Sequence, residues 1–139
     1  MTDAMPVAAI HVAELVEEQI IRVAPDTMLS EVAATLLAAN IGVVAVGDGA
    51  RVSAIVSERD IVRAVAQGYD PTTTPAEKVA SFSLIWCDAE STVAEVANEM
   101  MEHYVRHVLV EDAGELIGIV SARDLLGVYA TADTETETE

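Results

Sequence analysis

The apolar positions of this chain fall into short runs and helical spacings that occur in a fixed order. Pro6 to Glu18 reads as a short helix, with Ile10, Ala13, Leu15 and Val16 toward one side. Ile20-Ile21-Arg22-Val23 predicts a short strand. Leu29, Val32, Ala33, Leu36 and Leu37 recur three and four apart, the spacing of one helical face. That helix is capped by Asp26 or Thr27, runs to about Asn40 and is broken by Ile41-Gly42. Val43 to Val46 and Val52 to Val56 predict two strands joined by a hairpin turn at Gly47-Asp48-Gly49. Ser57 then caps a helix reaching about Ala66.

After the polar, proline-bearing stretch Gly68 to Pro75, the same order recurs. A helical turn is predicted at Ala76 to Ala80, a strand at Leu84 to Cys87 and a helix from about Ser91 to His103. Strands at Arg106 to Val110 and Glu115 to Val120 turn at Asp112-Ala113-Gly114, and a last helix spans Ser121 to Tyr129. The recurrence is literal. Slid by 64 residues, Ile55-Val56-Ser57-Glu58-Arg59-Asp60 falls on Ile119-Val120-Ser121-Ala122-Arg123-Asp124, and Glu31-Val32-Ala33 falls on Glu95-Val96-Ala97.

The expected fold class is therefore α+β: two β-α-β-β-α repeats related by a pseudo-twofold axis, sheets packed together and helices outside. The repeats are expected at residues 7–68 and 76–130, with a linker at 69–75. The Thr-Glu alternation of 131–139 offers nothing apolar to bury and is expected to be a disordered acidic tail. A unit of ~60 residues buries little core alone, and continuous apolar strands such as Val43 to Val46 call for cover on both faces.

Charge narrows the partners. The formal net charge is −17, with four of the acids in the tail. Lys78 is the only lysine, beside Arg22, Arg51, Arg59, Arg63, Arg106 and Arg123. Such a field repels nucleic acid and anionic lipid, so neither is an expected partner. A small anion would have to find one of the six arginines. No apolar run reaches the ~18 residues of a membrane span, and the N-terminus lacks the basic start of a secretory signal; the expected location is cytoplasmic. Cys87 is the single cysteine, which excludes an internal disulfide.

The chemistry concentrates at the junction of each third strand with the next helix. In Ser57-Glu58-Arg59-Asp60, Ser57 is the expected N-cap and Asp60 the third helical residue; Ser121 and Asp124 repeat the pattern. A helix N-terminus offers free N–H groups to an anion. The serine adds a hydroxyl, and the aspartate a carboxylate able to accept from two vicinal hydroxyls of a ribose. The same residues also spell a plain capping box with no ligand at all. Other constellations are poorer. His103 and His107 are four apart but straddle a strand start, so no metal site is expected. Ser57, Ser121 and Cys87 lack a His-acid partner set, so no catalytic residue is expected. Trp86 is read as a core or interface residue rather than a pocket wall.

Two such units, each closing on two hydrophobic residues followed by Ser-x-x-Asp, resemble a tandem pair of CBS domains (the cystathionine β-synthase type), or Bateman module. Val105-Arg106-His107-Val108-Leu109-Val110 and Leu116-Ile117-Gly118-Ile119-Val120-Ser121-Ala122-Arg123-Asp124 carry the fuller pattern. The likeness runs from about Val12 to Tyr129. It implies a cleft between the copies that binds an adenosine-containing ligand: AMP, ADP, ATP or S-adenosylmethionine. It implies Asp60 and Asp124 on the ribose, with Ser57 and Ser121 near phosphate or ribose. The residue opening the first helix of the opposite copy completes each pocket, pairing Thr27 with Asp124 and Ser91 with Asp60. Val23 and Cys87, with Ile21, Val32, Ile85 and Val96, would wall the base.

The copies differ in basic residues. Arg106-His107 stands in the second where relatives hold phosphate, and Gly42-Val43 in the first. Arg59 and Arg123 can reach phosphate or bridge acids such as Glu58. Phosphate is thus expected to be served unequally. The reading is a stand-alone, non-catalytic nucleotide sensor with no resident cofactor, signalling through a homodimer or an unidentified regulated protein. Val62, Ala66, Leu125, Leu126 and Tyr129 are the expected dimer face. The alternative is a ligand-free structural or interaction module whose Ser-x-x-Asp motifs are only caps.

Overall fold

The structure is a computed structural model that describes residues 6–16, 20–47 and 52–137, the side chains as far as Thr131. The expected turn at Asp48-Gly49 and the end of the first helix at Glu17-Glu18 lie outside the described residues. Alternating elements follow the predicted order. The first repeat gives β1 (Arg22–Val23), α1 (Leu29–Ala39), β2 (Val43–Val46), β3 (Ala54–Ser57) and α2 (Glu58–Ala66). A single-turn helix α3 (Ala76–Val79) opens the second, followed by β4 (Trp86–Asp88), α4 (Val93–His103), β5 (His107–Asp112), β6 (Glu115–Ser121) and α5 (Ala122–Glu137). The architecture is α+β, with two three-stranded sheets ordered β1-β2-β3 and β4-β5-β6.

The 64-residue displacement survives into the hydrogen-bond register. Arg22 pairs with Ala45 in the parallel β1–β2 ladder, and Trp86 with Leu109 in β4–β5. Val43 faces Ser57 in the antiparallel β2–β3 pair, and His107 faces Ser121 in β5–β6. The second hairpin turns at Ala113 and Gly114, both at positive φ (54° and 84°), as a two-residue turn matched to strand twist requires.

The compact units cut across the repeats of the sequence. One runs from Ile20 to Leu84; the other joins the leading segment to everything from Ile85 onward. Reciprocal backbone bonds produce this exchange. Val12 N–H donates to Ser91 at 2.7 Å, and Ala76 N–H donates to Thr27 at 2.7 Å. Val93 N–H reaches the Ile10 carbonyl at 2.8 Å, and Leu29 N–H the Thr74 carbonyl at 2.9 Å. Each repeat's leading segment thus satisfies the first helix of the other repeat, whose opening N–H groups have no intrahelical partner.

Three expectations change as a result. Pro6 to Glu18 is not one helix: two 3₁₀ turns, Val7–Ala9 and Val12–Leu15, flank extended backbone at Ile10 and His11. There the exchanged bonds replace the helical ladder. Residues 69–75 pack as part of their unit rather than as a bare linker: Ser30 N–H donates to Pro71 at 3.0 Å, and buried Thr74 donates its hydroxyl to Asp70 at 2.7 Å. The last helix passes Tyr129 and continues to Glu137, where a tail without structure was expected. No glycine or proline follows Gly127 to stop it, and Ala and Glu are good helix formers.

Each unit has its own core. Leu29, Val32, Leu36, Val44, Val46 and Val56 fill one, with Ala76 from the exchanged segment. Val93, Val96, Met100, Val108, Val110 and Val120 fill the other, with Val12. Among the described residues no helix is long and apolar enough to cross a membrane.

Candidate functional site

Both strand-to-helix corners form as the motif predicts. Ser57 ends β3 and caps α2: Asp60 N–H donates to Ser57 Oγ at 3.2 Å. In return, Asp60 Oδ2 accepts from the Ser57 N–H at 2.8 Å and from its hydroxyl at 3.0 Å. Ser121 ends β6 in the same way. Asp124 N–H donates to Ser121 Oγ at 3.0 Å, and Asp124 Oδ2 accepts from Ser121 N–H at 2.9 Å. Each aspartate therefore gives one oxygen to a capping box. The second oxygens differ. Asp60 Oδ1 lies 3.4 Å from Arg63 Nη1, whereas the position equivalent to Arg63 in the second repeat is Gly127.

The start of the middle strand meets each corner through one backbone bond. Glu58 N–H donates to Gly42 and Ala122 N–H donates to Arg106, both at 2.9 Å. In the first repeat the Glu58 carboxylate sits over Gly42: a Cβ there would lie 2.9 Å from Glu58 Oε1. In the second, Arg106, His107, Ser121, Arg123 and Asp124 gather at the same end of the β5–β6 hairpin. Arg106 and Arg123 are exposed, as is Arg59. Arg59 forms no ion pair with Glu58 among the described residues; Arg63 pairs instead with Asp60.

Thr27 and Ser91 do not open their helices. α1 starts after Met28, whose side chain gives no cap; Thr27 instead offers its carbonyl to Ala76. The cap of α4 is Thr92, one residue after Ser91. Its Oγ accepts from Glu95 N–H at 3.2 Å while Glu95 Oε1 accepts from Thr92 N–H at 2.8 Å. That box was legible as Thr-x-x-Glu. Thr27 belongs to the unit of Asp60, and Ser91 to that of Asp124. The expected Thr27–Asp124 and Ser91–Asp60 pairings thus join residues of different units and carry forward as a proposal.

Val23 on β1 and Cys87 on β4 are half-buried and occupy equivalent positions, each packed against its own unit's core. Cys87 and Ser91 come together in an open groove of about 490 Å³ between β4 and α4, with Val96. Trp86 lines this groove too, half-buried and outside the core cluster, which corrects the core part of its expected place. The rest of the lining is Asn98 and four acids, Asp88, Glu95, Glu99 and Glu102; Ser121 and Asp124 do not belong to it. Burial, and then the neighbouring Asp88, Glu99 and Glu111, push the Cys87 thiol up to about 11. Among the described residues no group of three or more His, Cys, Asp or Glu is placed to hold a metal ion. His103 ends α4, 3.3 Å from Glu99, while His107 begins β5.

The family model described as CBS domain matches twice, at residues 12–67 and 76–131. Hypoxic response protein 1 of Mycobacterium tuberculosis is 39% identical over 80 residues, 57% of this chain and 56% of that protein. The chain spans little more than half of that relative's length. Among solved structures, the CBS-domain protein ATU1752 of Agrobacterium tumefaciens aligns with TM-score 0.77 and 33% identity, covering 86% of this chain and 98% of its own. The CBS domain protein PAE2072 of Pyrobaculum aerophilum, complexed with AMP, aligns with TM-score 0.74 and 33% identity, covering 87% and 99%. With both repeats matched over most of its length, this chain belongs to the CBS-domain family, as two CBS domains in tandem.

Proposed function

We propose that the CBS pair is a non-catalytic regulatory module that binds an adenosine-containing ligand through its Ser-x-x-Asp corners. The observation that carries this reading is the second corner. There a helix N-terminus, the Ser121 hydroxyl, the Asp124 carboxylate and the exposed Arg106 and Arg123 converge on one hairpin end. These groups suit a ribose and its phosphate. The AMP complex of the Pyrobaculum aerophilum relative supports the ligand class. Thr27 and Ser91 are the proposed contributions from the opposite repeat, and Val23 and Cys87 contacts to the base.

Regulation would follow from linkage: a ligand favouring one arrangement shifts the population toward it. The proposed setting is cytoplasmic, the ligand AMP, ADP, ATP or S-adenosylmethionine. The response would pass through a homodimer or a regulated protein. For the homodimer, the support is an apolar surface repeated at the 64-residue spacing: Val62 (66% exposed) with Leu126 (69%), and Leu37 (84%) with Met101 (74%). Leu125 drops out of the expected face, being buried in the core.

The closed capping boxes favour one other reading, a ligand-free interaction module. A thermal-shift titration with the four ligands separates the two. A site filled to a hundred times its dissociation constant raises stability by ~2.7 kcal/mol. Melting temperatures unmoved by all four ligands would leave only the interaction module.

A further inference from the structure

The two corners share a backbone and an arginine before the aspartate (Arg59, Arg123), and differ at three other positions that frame it. In the second repeat Arg106 stands at the strand start, Ala122 follows the cap, and Gly127 lies one turn on. The equivalent positions of the first repeat are Gly42, Glu58 and Arg63. Glu58 folds its carboxylate over Gly42, the place from which the Arg106 side chain departs in the other copy. Arg63 meets Asp60 Oδ1, while Ser57 N–H and O–H both meet Oδ2. Asp60 thus has both oxygens engaged by its own helix and cap. Asp124 commits Oδ2 to Ser121, and among the described residues Oδ1 has no protein partner.

We propose that the chain holds a single phosphate-bearing adenine nucleotide, its ribose on Asp124 and its phosphate on Arg106 and Arg123, and that the Ser57–Asp60 corner is closed to phosphate by Glu58. The proposal rests on the adenosine-binding reading above and sharpens it into a stoichiometry and a ligand class. A carboxylate at hydrogen-bonding range of a phosphate repels it, and Glu58 lies where the phosphate's cation would have to be. A ribose approaching Asp60 also meets Arg63, 3.4 Å from Oδ1. Neither cost exists at Asp124.

Isothermal titration with AMP, and separately with adenosine, tests this on the full chain. The expected stoichiometry is one AMP per chain. Arg106→Ala is expected to weaken AMP by roughly 10- to 100-fold, the weight of a charge-assisted hydrogen bond, with adenosine affinity unchanged. Glu115→Gln, at the turn end of the same β5–β6 hairpin, is expected to leave AMP binding as it was. The triple variant Gly42→Arg, Glu58→Ala, Arg63→Gly transplants the second repeat's pattern and is expected to raise the stoichiometry to two. Because Arg106 is exposed, its variant keeps the fold, which far-UV circular dichroism checks. Two equivalent AMP sites in the wild type, or undiminished AMP affinity in Arg106→Ala, overturns the proposal while leaving the adenosine reading intact. Absence of AMP binding overturns the proposal, and absence of binding by AMP, ADP, ATP and S-adenosylmethionine alike overturns the adenosine reading with it.

Discussion

The backbone N–H of Val12 donates to the carbonyl of Ser91 at 2.7 Å, which ties the leading segment of the first repeat to the start of α4 in the second. With its counterpart, Ala76 to Thr27, this bond makes the two repeats interdependent. Neither repeat, cut at the boundary of its sequence, carries the segment that completes its first helix and core. A fragment of residues 1–70 is expected to lack a cooperative thermal transition, while mixing it with 71–139 restores one. Differential scanning calorimetry of the fragments and their mixture reads this directly. Independent melting of 1–70 at the wild-type temperature would show the exchange to be dispensable.

The same segment explains Gly118. A methyl group there would overlap the Val16 side chain, and such overpacking costs about 1–3 kcal/mol. Gly118→Ala is therefore expected to lower the denaturant midpoint. Gly127→Ala is the contrasting case: its Cβ meets nothing within 4 Å and its φ is not positive, so a gain of ~0.5–1 kcal/mol in α5 is expected. Urea unfolding of the two variants should move in opposite directions.

Thr92→Ala should cost ~1 kcal/mol through loss of the Thr92–Glu95 capping box. Ser91→Ala is expected to have a smaller effect on stability, since Ser91 contributes its backbone to the exchange and not a cap. Equal losses in the two melts would place the cap at Ser91 after all.

At the proposed nucleotide corner, Asp124→Asn preserves an oxygen to accept from Ser121 N–H while removing the charge that would be offered to ribose hydroxyls. Stability is expected to fall by about 1 kcal/mol or less, and the thermal shift with AMP to shrink severalfold. A full AMP response in this variant would remove Asp124 from the site.

Cys87 should react slowly at pH 8, because its thiol is held up near 11 against an ordinary 9.0, by burial first and by Asp88, Glu99 and Glu111 after it. The reactive thiolate is correspondingly scarce. The sign for stability follows. The unfolded chain releases this proton at lower pH than the folded one, so the contribution is whole below pH 9 and is lost as pH rises toward 11. Labelling with a chromogenic disulfide across pH 7–11 checks the first point, and Glu99→Gln should quicken it modestly. Labelling at pH 8 as fast as in the unfolded chain would contradict it.

Leu126→Glu and Met101→Glu place charge on the duplicated apolar surface. In sedimentation the wild type is expected to run as a dimer and both variants as monomers, with circular dichroism unchanged because both side chains are exposed. A wild-type chain that sediments as a monomer would remove the dimer.

Local pattern made much of this protein legible. The spacing of Leu29, Val32 and Leu36 marks the face that packs into the core, and Val43 to Val46 forms the middle strand. Ser57 and Ser121 cap their helices with Asp60 and Asp124 in reply, since a cap and its N3 partner lie only three residues apart. The repeat spacing carried over into strand register. What the sequence could not express was competition from distant chain. Pro6 to Glu18 has a helical pattern, yet the carbonyl of Ile10 is taken by Val93 far along the chain. α1 has no side-chain cap at Met28, because the carbonyl of Thr74 meets the N–H of Leu29. The unequal basic residues of the two corners were legible in the sequence, but that Arg63 turns to Asp60 and that Glu58 lies over Gly42 were not. Periodicity and capping act within a turn or two and are written in neighbouring residues. The partner of an orphan N–H or a free carboxylate oxygen is whichever group the fold brings near, and only the tertiary structure decides that.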